Sequence, residues 1–95
     1  MSQADRIRAF VVQRLVQPAR MAGHSSLTVR AGDVHQAMGL VNMPRAVCSV
    51  LRGSKLHQDG GVIFKGQEGP ADGMNVWFHF DLTGDPIGAP AARRI

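Results

Sequence analysis

The run Leu27-Thr28-Val29-Arg30 is rich in β-branched residues and stands between two segments of helical rhythm. Such a run favours extended backbone. It is too short to be stable alone, so its ladder partner has to come from elsewhere in the chain. After Gly60-Gly61 the period changes, and two further strands follow. The first is VIFKG. The second is NVWFHFDL, in which Val76, Phe78 and Phe80 alternate with Asn75, Trp77, His79 and Asp81. QEGPADGM between them has the composition of a hairpin loop and exceeds a minimal turn. The orphan strand at 27–30 is therefore expected beside this hairpin, completing a small antiparallel sheet.

The other segments read as helices. In residues 4–17, Ile7, Phe10, Val11 and Leu15 follow the i, i+3, i+4 rhythm, with Pro18 as the expected limit and Gly23 beyond it. Val12 and Val16 widen the apolar stripe, which suits a dimer contact. In residues 33–39, Asp33 is the expected N-cap or its neighbour, Val34, Ala37 and Met38 form the apolar face, and Gly39 takes the left-handed C′ position. A third helix spans 43–53. Asn42 is its expected N-cap and Pro44 lies in its first turn. Met43, Ala46, Val47, Val50 and Leu51 carry its apolar side, and Gly53 closes it.

The chain has 95 residues, 44% hydrophobic and 19% charged, which suits one globular domain. Residues 1–82 read as that domain and 83–95 as a flexible C-terminal tail. No apolar run is long enough to span a membrane, and MSQADRIR lacks the apolar segment of a signal peptide. With Cys48 as the sole cysteine, the expectation is a cytoplasmic protein without disulfides. The charge is asymmetric. Residues 1–58 carry eight Lys and Arg against Asp5 and Asp33, whereas residues 59–95 carry three against five acids. Seven of those eight cations are arginine, the side chain suited to bidentate phosphate or guanine contact.

The order α-β-α-α-β-β, with VHQAMGL followed by the Pro44 helix, resembles the winged helix-turn-helix superfamily over about residues 4–82. The resemblance implies an α+β fold of three helices packed on a small antiparallel sheet. It also implies that helix 33–39 supports, helix 43–53 enters the DNA major groove, and residues 67–74 form the wing tip. His35 stands where the compact motif has a small residue, and the turn Leu40–Met43 is longer than the compact one. The wing tip carries Glu68 and Asp72 where DNA-contacting wings are usually basic, leaving Lys65, Gln67 and Asn75 as its candidates for DNA contact.

With its apolar side turned inward, helix 43–53 presents Arg45, Ser49 and Arg52 at i, i+4, i+7, one outward stripe. Arginine pairs with guanine O6 and N7, and serine bonds several base edges. Lys55 and His57 follow as phosphate anchors. Arg-Ser-Arg is also an ordinary solvated face, so the stripe alone leaves both readings open. His24, His35, His57 and His79 lack the paired spacing of a zinc site, and the glycine-rich loops lack a P-loop lysine. Cys48, in mid-helix, reads as a core thiol. The expectation is a non-enzymatic, cofactor-free protein that binds double-stranded DNA as a homodimer through its N-terminal helix, with no small-molecule ligand. The alternatives are a protein-interaction module using the acidic wing and Trp77, or a DNA-binding accessory subunit of a larger complex.

Overall fold

The structure, a computed structural model, describes residues 2–69 and 73–82. The expected tail at 83–95 and the wing-tip Asp72 lie outside the described residues. Within them the fold is α+β, a helical layer packed on a small three-stranded antiparallel sheet.

A reciprocal capping box starts α1 (Gln3–Val11). The Ser2 hydroxyl accepts the Asp5 backbone N–H at 3.1 Å, and the Asp5 carboxylate accepts the Ser2 N–H at 3.3 Å. The helix does not stop at Pro18 as expected. It passes through a π-helical turn, Val12–Val16, into α2 (Gln17–Met21). Pro18 has no N–H, and in regular α geometry its ring would meet the carbonyl of Arg14. The π turn widens the backbone just ahead of it: Gln17 N–H donates to Val12 O, one residue further back than an α-helical bond. Gly23, at φ +85, makes the final break.

The sheet comprises β1 (Ser26–Arg30), β2 (Ile63–Glu68) and β3 (Trp77–Asp81), in the order β1-β3-β2. The orphan strand thus pairs as expected, antiparallel to β3, with Leu27 opposite Phe80 and Val29 opposite Phe78. Strand alternation sends Phe78 and Phe80 to the helical side, where they are 0% and 3% exposed. Each such burial contributes about 2–3 kcal/mol. Phe64 lies against both rings, with centroid separations of 6.1 and 6.0 Å. The opposite face carries Thr28, Trp77, His79 and Glu68. A bulge in β2 between Phe64 and Gly66 leaves Lys65 without a cross-strand partner.

β1 runs directly into α3 (Ala31–Ala37), which is followed by α4 (Pro44–Leu51). Arg30, not Asp33, occupies the N-cap of α3; Asp33 falls in its first turn and pairs with Arg30 at 2.8 Å. Gly39 adopts φ +67 after α3, as a left-handed C′ residue does. The N-cap of α4 is Met43 rather than Asn42, because Asn42 is used one step earlier, at φ +52, to turn the chain. Pro44 opens the first helical turn as expected. Val47, Cys48, Val50 and Leu51 are buried with Ile7, Val11 and Val34.

The three-helix expectation misses α5 (Ser54–Gly60). Its only large buried side chain is Leu56, so it has no apolar period. Polar clamps from the N-terminal helices hold it instead. Arg8 donates to Asp59 at 2.7 Å and also pairs with Asp5; Arg20 donates to Gly60 O and, at 2.6 Å, to Gly61 O. These bonds satisfy carbonyls at the end of α5 that the helix itself leaves open. α5 also accounts for the widened stripe on the N-terminal helix. Val16 is 1% exposed, and a Cβ at Gly60 would stand 3.4 Å from the Val12 methyl. Val16 therefore belongs to the chain's own core, and Val12 is partly buried against it.

Candidate nucleic-acid interface

Burial of one side of α4 leaves Arg45, Ser49 and Arg52 exposed on the other, as the sequence spacing predicts. Cys48, between them in sequence, is 0% exposed, and its thiol donates to Gly73 O at 3.5 Å. It belongs to the core and not to the outward stripe. Arg52 Nη1 donates to Gln67 Oε1 at 3.2 Å. Gln67 lies opposite Phe78 in the β2–β3 register and so points to the helical side of the sheet. One hydrogen bond thus joins the exposed face of α4 to the hairpin.

The basic charge of the first 58 residues is divided between structure and surface. Arg8 and Arg20 hold α5. Arg30 pairs with Asp33 and donates to Asn75 Oδ1 at 2.6 Å, which leaves the exposed Asn75 only its amide N–H donors. Arg14 lies over the Phe10 ring, 5.8 Å from its centroid. Among the described residues, Arg6, Arg45 and Lys55 are exposed and make no ion pair.

Lys55 and His57 lie on α5, beyond the Gly53 break that separates it from α4. The exposed His57 ring donates its Nδ1–H to Val62 O, so in the neutral ring Nε2 is a hydrogen-bond acceptor. Lys65 does not join them. It opens onto a shallow concavity of about 430 Å³ on the outer sheet face, lined by Ser26, Thr28, His79 and Asp81. There His79 Nδ1 is 3.1 Å from Thr28 Oγ1, and its Nε2 is 3.7 Å from Glu68. Trp77, on the same face, is 43% exposed.

Two residues tie this face together in roles that the sequence did not show. Gln67 positions Arg52. His35, 7% exposed, accepts the Met43 N–H through Nε2 at 3.1 Å and so ties α3 to the start of α4. Among the described residues, no three His, Cys, Asp or Glu side chains are grouped to hold a metal ion, and no helix is long and apolar enough to cross a membrane. Compared with known proteins, the chain matches no family model, no curated protein and no solved structure.

Proposed function

We propose that this chain is a winged helix-turn-helix domain that binds double-stranded DNA, with α4 in the major groove. The observation that carries the reading is the exposed Arg45–Ser49–Arg52 face on the second helix of the α3–α4 pair, bonded through Arg52 to the β2–β3 hairpin. The strand order β1-β3-β2, with α3 and α4 between the first strand and the hairpin, supports it. Arg45 and Arg52 read base edges or phosphates, Ser49 adds a short polar contact, and Lys55 meets flanking backbone phosphate, with His57 adding a contact when both its ring nitrogens carry protons. The protein acts as a transcriptional regulator and binds as a dimer, since one helix of eight residues reads too few base pairs for a specific site.

The test is a fluorescence-anisotropy titration of a labelled random-sequence duplex at several salt concentrations. The expected result is binding whose log K falls with log salt by about 0.9 per phosphate contacted. Absence of binding to any duplex at low salt overturns the proposal. The exposed Trp77 on the outer sheet face favours a second reading, a protein-interaction module, and that surface would then be the bait.

A further inference from the structure

The two edges of the sheet differ in kind. β2 is blunted in the ways that protect an edge: a bulge at Lys65, the lysine itself, and Gly66 at φ +150. β1 has none of these. Its register with β3 is unbroken from Ser26 to Arg30, and it contains no proline, lysine or bulge.

The hydrogen-bond phase shows which backbone groups face outward on that edge. Leu82 N–H donates to Ser25 O and Ala31 N–H to Val76 O, both at 2.9 Å. In an antiparallel ladder bonded pairs recur every second residue, so Leu27 and Val29 exchange bonds with Phe80 and Phe78. The N–H and C=O groups of Ser26, Thr28 and Arg30 therefore point away from β3. Among the described residues, no other strand bonds to them; the Arg30 C=O, at the N-cap of α3, accepts the first bond of that helix.

We infer that the β1 edge pairs with the β1 edge of a second copy of this chain, antiparallel, about a two-fold axis at Thr28. In that register Thr28 meets its own counterpart, and Ser26 meets Arg30 of the other copy. All three outward-facing residues then pair with outward-facing residues, so every outward N–H finds an acceptor, the Arg30 C=O using the lone pair that α3 leaves. The side chains agree with the same register. Thr opposite Thr is a favourable pair, Arg30 falls opposite a serine rather than a like charge, and Leu27 meets Val29 on the helical side. Shifting the register by one residue would set Leu27 against Thr28 of the other copy and put that copy's helices on the opposite face. The two-fold axis is perpendicular to the sheet, so the helices of both copies lie on one side of a single continuous sheet. The inference rests on strand geometry and stands or falls without DNA.

The test combines sedimentation equilibrium of the full chain with residue-resolved amide exchange. The expected result is a dimer at high concentration in which the Ser26, Thr28 and Arg30 amides are protected, with the protection lost on dilution. Thr28→Lys places two ammonium groups together at the axis and is expected to give a monomer with unchanged circular dichroism. If that variant does not fold, the wild-type mass and exchange data decide. A chain that stays monomeric with freely exchanging amides overturns the inference. So does a dimer in which those three amides exchange freely, since its interface lies elsewhere. A monomer in which they are protected also overturns it, since the protection then arises within one chain.

Discussion

His35 on α3 accepts the backbone N–H of Met43, the N-cap residue of α4, at 3.1 Å through Nε2. An imidazole nitrogen accepts only when it carries no proton, so this bond requires a neutral ring with hydrogen on Nδ1. The longer turn between α3 and α4 is closed by this side chain. A histidine where a compact helix pair has a small residue is thus part of how the extended turn is built.

Replacing His35 by leucine keeps bulk in the α3–α4 seam but removes the acceptor. The Met43 N–H is then left without its partner, which costs about 1–3 kcal/mol. Urea denaturation is expected to show a loss in that range, and DNA affinity is expected to fall because the start of α4 is no longer held. A variant as stable as the wild type would show that the bond does not anchor the turn.

The arginines divide into two experimentally separable classes. Arg45 is exposed and outside every ion pair among the described residues, so Arg45→Ala is expected to change stability by less than about 0.5 kcal/mol. In the proposed complex the same change weakens DNA binding by about 1–3 kcal/mol, tenfold or more, if the side chain reads a guanine. Unchanged affinity in the anisotropy titration would remove Arg45 from the interface.

Arg20→Ala is expected to do the reverse. Arg20 donates to the Gly60 and Gly61 carbonyls at the end of α5, and hydrogen bonds from a charged group contribute about 1.5–3 kcal/mol. The loss should appear in urea denaturation and as faster amide exchange in α5. The salt slope of DNA binding is expected to stay unchanged, because this guanidinium is turned into the fold.

These assignments explain which parts of the molecule were legible in the sequence. β3 was, because Phe78 and Phe80 alternate with polar neighbours and burial follows that parity. β1 was, because a run of this composition needed a partner and only the hairpin supplied one. The exposed face of α4 followed from its buried face. α5 was hidden because Leu56 is its only large core side chain and its remaining anchors are Arg8 and Arg20, about 40–50 residues away in sequence. The continuation past Pro18 was hidden because a π turn accommodates a proline without leaving a residue pattern. Lys65 reads as a wing residue near α4, yet the bulge and strand parity carry it to the outer face. A bond from a ring to a backbone N–H eight positions on, as at His35, has no trace in composition or periodicity.

The capping box predicts how the N-terminus responds to acid. Hydrogen bonds from the Ser2 hydroxyl and backbone N–H, followed by the Arg8 guanidinium, hold the Asp5 carboxyl below the usual carboxylate range. Its folded value is thus depressed relative to the unfolded chain. The stability it contributes is complete above the unfolded value of about 3.9 and is lost as pH falls through the lower folded value. Asp5→Asn is expected to be less stable than the wild type at neutral pH, with the difference closing over that acid range. A carbon-detected NMR titration of Asp5 is expected to place its midpoint below that of an unfolded reference peptide. A midpoint equal to the reference would mean that the box does not form in solution.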